Sequence, residues 1–145
     1  MNSDSLFFVY SDEKSLPSAN SNTLVMTFDG DKYRQLSKLF IQLNKEFQFG
    51  GSFGNNLDAL FDSMTDLSWL SEKKFVLIFQ NTADFLIEED EDKVLDFLNT
   101  LNDIGTSIND EPMFSDQSRS MKFYFESSDR IEQLMDDAYL IWEDF

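Results

Sequence analysis

Phe75-Val76-Leu77-Ile78-Phe79 is a run of five consecutive apolar residues in a β-favouring composition. An unbroken apolar run of this length does not alternate as a half-exposed strand does, so it fits a strand covered on both faces, the position found at the centre of a parallel sheet. On its N-terminal side, Leu24–Phe28 reads as a second strand, closed by the turn residues Asp29, Gly30 and Asp31, which are also expected to cap the helix that follows. Leu36, Leu39, Phe40, Leu43 and Phe47 recur at helical spacing and mark one buried face. Gly50, Gly51, Ser52, Phe53 and Gly54 break that helix, and Asn55 or Asn56 can cap a short second one with Leu57, Leu60, Phe61 and Met64 inward.

Beyond the central run, the acidic cluster Glu88–Asp92 stands where negative charge favours a helix start, and Val94, Leu98 and Leu101 carry that helix to an expected stop at Gly105. A cation site there would need the carboxylates folded around an ion rather than spread along a helix. Residues 108–120 read as polar loop, and Met121–Phe125 as a strand partly exposed at Lys122. Asp129 and Glu132 can cap a last helix, over 129–145, with Ile131, Leu134, Met135, Ala138, Tyr139 and Trp142 on it and Trp142 in the core. Leu6–Tyr10 fits an edge strand, followed by a Ser-, Asn- and Pro-rich loop to Asn22. Strands alternating with helices predict an α/β fold with a small, mostly parallel sheet of three core strands and a fourth N-terminal edge strand. The expected organisation is one domain over 1–145, its core at about 24–126, with 1–22 as an extension.

Chemistry is constrained by what the 145 residues lack. There is no Cys and no His, which removes thiolate nucleophiles, disulfides, imidazole acid–base catalysis and the usual zinc and iron ligands. Carboxylates, Lys and Tyr remain as acids and bases, but the serines have no imidazole to activate them. No enzyme activity, metal or cofactor is expected. The N-terminus lacks a basic start with a long apolar core, and no apolar run is long enough to span a membrane, so a cytoplasmic location is expected.

The formal charge is −17, from 28 acidic and 11 basic residues. A field of that sign repels nucleic acid and anionic membrane surfaces and attracts basic proteins, although solubility alone also explains acidity. Its distribution is uneven. The first 47 residues are nearly neutral, whereas 48–72 hold Asp58, Asp62, Asp66 and Glu72 with no Lys or Arg, and 84–103 hold eight acids and Lys93 alone. Asp58 and Asp62 share a helix face away from the apolar stripe and repel each other, by about 0.2–0.5 kcal/mol in an isolated helix. Asp58 gains from the helix dipole in the first turn. Asp62 does not, so its acidity points to a basic partner.

The stretch Phe53-Gly54-Asn55-Asn56-Leu57-Asp58-Ala59-Leu60-Phe61-Asp62 resembles the signature helix of barstar-type ribonuclease inhibitors. Gly54, Asn56, Leu57, Asp58, Ala59, Leu60 and Asp62 match the pattern, Phe53 keeps an aromatic, and Phe61 stands in place of a Trp. The resemblance covers about residues 24–126. It implies a three-stranded parallel sheet packed by helices, with a binding face made by the second helix and its preceding loop. It further implies that Asp62 enters a nuclease active site in place of a substrate phosphate, that Asp58 binds nearby basic groups, and that Asn56 assists. The expected contact set is Phe53, Gly54, Asn56, Leu57, Asp58, Phe61, Asp62, Thr65, Asp66 and Trp69. Phe61 reads first as core, and Trp69 is open between core and contact.

Three departures touch binding positions. Ser52 stands where the family has an aromatic, Thr100 takes the acidic position on the third helix with Asp103 one turn later, and Trp69 is offset by about one residue. The implied function is an immunity protein that blocks a basic toxin, a ribonuclease, in a one-to-one complex. An acidic adaptor that binds a basic protein without inhibiting it is the alternative, and a carboxylate enzyme using a divalent cation is a third.

Overall fold

In a computed structural model, which describes residues 5–110 and 118–145, the elements run β1 (Phe7–Tyr10), a 3₁₀ turn (Glu13–Ser15), β2 (Thr23–Asp29), α1 (Leu36–Phe47), α2 (Leu57–Asp66), β3 (Lys74–Gln80), α3 (Glu91–Asn109), β4 (Ser120–Glu126), α4 (Asp129–Asp137) and β5 (Trp142–Asp144). The strands form one sheet in the order β2-β3-β4-β1-β5, and every neighbouring pair is parallel. The α/β fold with a parallel sheet is therefore as the sequence predicts.

The run Phe75–Phe79 is buried throughout, because β3 has β2 and β4 on its two edges and packed side chains on both faces. Phe75, Leu77 and Phe79 join the core shared with all four helices, while Val76 and Ile78 pack with Phe8, Tyr10 and Tyr124 on the opposite face. That second face is covered by Leu16, from the chain joining β1 to β2, and by the Phe145 ring, edge-on to Phe8 and Tyr124. Aromatic rings tie the strands together on the helix side. Phe28, Phe79 and Phe125 stack in one row across β2, β3 and β4, with centroids 5.3 and 4.5 Å apart, and each such pair adds about 0.5–1.5 kcal/mol beyond its area burial.

Several local expectations change. The expected N-terminal edge strand forms as β1, but β5 pairs along its outer side, so β1 lies inside the sheet. β5 is drawn from the segment expected to prolong the last helix. α4 ends at Asp137, Tyr139 takes a left-handed φ of 59° and is 93% exposed, and the chain then turns to add a strand. Half-buried Trp142 is thus a strand residue whose Nε1 donates to Asp136 at 2.9 Å. The α4 cap is Ser128, which accepts from the Ile131 N–H at 3.1 Å, with Asp129 and Glu132 in the first turn.

α1 takes no cap from Asp29, Gly30 or Asp31. The Asp29 carboxylate accepts from the Asp31 N–H and from Asn81 Nδ2, and so fastens the end of β2 to the end of β3. Gly30 donates to the Gln80 carbonyl at 2.7 Å, and a Cβ there would collide with the Asn81 carbonyl. The donor at the start of α1, the Leu36 N–H, is met instead by the Glu89 carboxylate at 2.7 Å. α3 does not stop at Gly105 but continues to Asn109. Gly105 is buried, and a Cβ on it would stand 2.9 Å from Leu6 Cδ1 and 3.1 Å from Phe123 Cε2, so close packing against β4 and the chain entering β1 explains a glycine inside a helix. Of the loop expected at 108–120, residues 111–117 lie outside the described residues. Among the described residues no helix is long and apolar enough to cross a membrane.

Candidate functional site

The loop before α2 is held at several points. Asn44 both donates to and accepts from Gly50, at 3.1 and 3.0 Å, and Gly50 takes a φ of 97°, which glycine adopts without strain. Phe49 packs at 5.8 Å on Phe47 and 4.8 Å on Phe53, and Phe53 reaches Phe40 at 6.2 Å. Trp69, 43% exposed, closes this cluster from beyond α2. It stands edge-on to Phe49 and donates from Nε1 to the Phe47 carbonyl at 2.8 Å, so it is part packing and part surface. Ser52, at the position where an aromatic was expected, is exposed.

α2 is fixed at both ends. Asn56 is its cap, accepting from the Ala59 N–H at 2.8 Å while its Nδ2 donates to the Gly54 carbonyl at 3.2 Å. Both polar atoms of Asn56 thus serve the turn into the helix. At the other end the Arg119 guanidinium donates to the carbonyls of Thr65 and Asp66, at 2.9 and 2.6 Å, placing a cation where the helix dipole is negative. Leu60 and Met64 are buried, and Leu57 and Phe61 are half-buried against the main core. Thr65 is half-buried with its hydroxyl donating to the Phe61 carbonyl at 2.8 Å.

What α2 turns outward is Asp58, Asp62 and Asp66, all exposed and spaced by four residues. Among the described residues neither Asp58 nor Asp62 is paired with a Lys or Arg. α3 packs beside α2 and carries a second acidic row, exposed Asp92, Asp96 and Asp103, with half-buried Thr100 donating its hydroxyl to the Asp96 carbonyl at 2.8 Å. Asp96 lines a cleft of about 470 Å³ with Asn56, Leu57, Leu36, Phe40 and Lys93. The sequence reading singled out Thr100 and Asp103 but not Asp96, although its four-residue spacing from Asp92 was available. The face so built combines a few apolar surfaces with exposed carboxylates on helices that are themselves held in place, which suits a cationic protein surface. Among the described residues no group of carboxylates is arranged to hold a metal ion.

The cluster Glu88–Asp92 has a different use. Glu88 accepts from Gln35 Nε2 and Arg34 Nε, at 2.8 and 3.1 Å, and Arg34 also reaches Asp84 at 3.7 Å. These bonds, the Gln35 amide foremost, hold the Glu88 carboxyl below the usual carboxylate range. With Glu89 on Leu36 and Asp90, Glu91 and Asp92 opening α3, the run ties two helix starts together.

The chain is thus an all-parallel α/β domain whose second helix presents a row of exposed carboxylates. The family model described as Barstar (barnase inhibitor) matches residues 23–126, and the chain belongs to that family. Comparison with curated proteins gave no match.

Proposed function

We propose that this chain is a cytoplasmic immunity protein that binds a basic toxin, a ribonuclease, in a one-to-one complex and blocks its active site with Asp58 and Asp62. The observation that carries the reading is that these two carboxylates are exposed, stand on a helix capped at both ends, and have no cationic partner among the described residues. Folding gains nothing from Asp62, whereas a cleft built to hold phosphates offers Arg and Lys at the spacing of substrate charges. Membership of a family described as barnase inhibitors supports the same reading. Phe53, Gly54, Leu57, Phe61, Thr65, Asp66 and Trp69 form the surrounding contact area, and Asn56 acts by setting the start of α2. The test is to recover the partner by co-purification from the native cell and titrate its RNA-cleaving activity with this chain. Inhibition complete at one equivalent supports the proposal. A partner that is basic but has no activity to inhibit would favour the adaptor reading.

A further inference from the structure

Lys74 and Lys122 stand on the sheet face that no helix covers. The register β2–β3–β4 sets Thr23, Lys74 and Ser120 side by side at the first level of the three strands, and Lys122 lies two residues further along β4 beside Val76. Side chains two apart on a strand share a face, so both ammonium groups and the two hydroxyls project to one side. They line a cavity of about 340 Å³ whose wall also includes Ser18 and whose floor includes Val76, and no Asp or Glu lines it. Lys122 is half-buried, its Nζ 5.4 Å from the centroid of the Phe8 ring, so its position is set by packing. Neither Lys74 nor Lys122 pairs with a carboxylate among the described residues, in a chain with 28 acidic residues. From Lys73 to Ala83 there is no acidic residue at all.

A cavity lined by two lysines, with the Thr23 and Ser120 hydroxyls flanking Lys74 and no carboxylate in its lining, suits an oxyanion, since each charged donor makes a stronger hydrogen bond to an anionic oxygen than to a neutral acceptor. The overall field limits what can bind: an extended polyanion reaching past the cavity meets a chain of charge −17 and is repelled. We infer that the Lys74–Lys122 cavity is a binding site for a small molecule bearing a phosphoryl or carboxylate group, separate from the acidic face of α2. The inference does not rest on the inhibitor reading.

The experiment is a titration of the ¹⁵N-labelled full chain with inorganic pyrophosphate and, separately, with succinate, against sodium chloride at matched ionic strength. Saturable shifts are expected at the amides of Thr23, Lys74, Ser120 and Lys122, with Asp58 and Asp62 unmoved. Saturation by pyrophosphate alone assigns a phosphoryl ligand, by succinate alone a carboxylate ligand, and by both an oxyanion site of broad choice. Lys74→Gln removes an exposed side chain with no packing role and is expected to weaken binding about tenfold with an otherwise unchanged spectrum; Lys122→Gln should do the same. Shifts no larger than those from sodium chloride, or full binding retained by both variants, would overturn the inference.

Discussion

The Glu89 carboxylate accepts a hydrogen bond of 2.7 Å from the backbone N–H of Leu36, the first residue of α1 and 53 positions earlier in the chain. Gln35, at the cap position itself, makes no side-chain bond to the helix, so the cap of α1 is supplied through the tertiary fold. Glu89→Ala leaves that donor without its acceptor and should cost about 1 kcal/mol, the usual worth of a helix cap. The melting temperature should fall by about 3 °C, with Asp103→Asn, exposed and outside this network, as the control. An unchanged melting temperature in Glu89→Ala would mean that water caps α1 equally well.

Asp62→Ala should leave the melting temperature unchanged or slightly raised, because it removes a like-charge neighbour of Asp58. Binding should weaken by about 2–5 kcal/mol, the loss typical when one member of a desolvated charge pair is removed, a range set in part by barnase–barstar measurements rather than by this chain. Asp58→Ala should also weaken binding and lose some stability, since Asp58 lies in the first turn of α2. Calorimetric titration of the toxin with each variant, beside thermal melts, reads both effects. Wild-type affinity in Asp62→Ala would place the contact elsewhere.

Steering by the acidic faces of α2 and α3 should make association strongly salt-dependent. The association rate measured by stopped flow should fall steeply as ionic strength rises through about 0.15 M, where the screening length is about 8 Å, while dissociation changes little. Asp92→Asn is the informative variant here, because Asp92 is exposed on α3 and, unlike Glu88 and Glu89, accepts no bond from the start of α1. It should slow association and leave dissociation as it was.

Asp29 and Glu88 are both held below the usual carboxylate range, Asp29 chiefly by the Asn81 amide and Glu88 chiefly by the Gln35 amide. The unfolded chain therefore binds protons at these groups more readily than the folded one. Their stabilisation is complete above the ordinary value near 4 and is lost as pH falls through the lower folded values. The difference in urea midpoint between wild type and Glu88→Gln should be constant near neutrality and close as the pH drops below about 4. At the other extreme the Tyr10 hydroxyl is pushed far up, by burial first and then by Glu126 and Glu13. Its contribution is complete below the ordinary tyrosine value near 10 and is lost as pH rises toward the folded one. Tyrosinate absorbance from Tyr10 should then appear only with loss of the sheet's circular dichroism.

The sheet was legible where a residue's surroundings leave a mark on its neighbours. Phe75–Phe79 declares a strand buried on both faces, and the α1 stripe declares a helix buried on one. Trp142-Glu143-Asp144 carries no such mark: three residues, two of them charged, become a strand because β1 has an edge to fill. The cap of α1 was illegible for a similar reason, since Glu89 is local to α3 in sequence and to α1 only in space. Asp58 and Asp62 could be placed on one face because helical period alone decides it. Helical period also sets Asp96 on one face with Asp92, but that this face lies beside α2 follows from the packing of α3 on α2, which no spacing within one helix reveals.

Gly105 ties the dose of the protein to its fold. On the proposed reading the chain protects by occupancy, and it succeeds only while its folded copies outnumber the molecules it must occupy. Gly105 is where α3 lies close against Leu6 and Phe123, far in function from any acidic side chain. Gly105→Val would overpack that seam by about 1–3 kcal/mol while leaving every side chain of α2 in place in the sequence, and steady-state abundance commonly shifts several-fold for losses of that order. On that reading such an allele would fail by number rather than by affinity, so restoring its folded copies to the wild-type level would restore protection, whereas an Asp62→Ala protein at that same copy number would still fail.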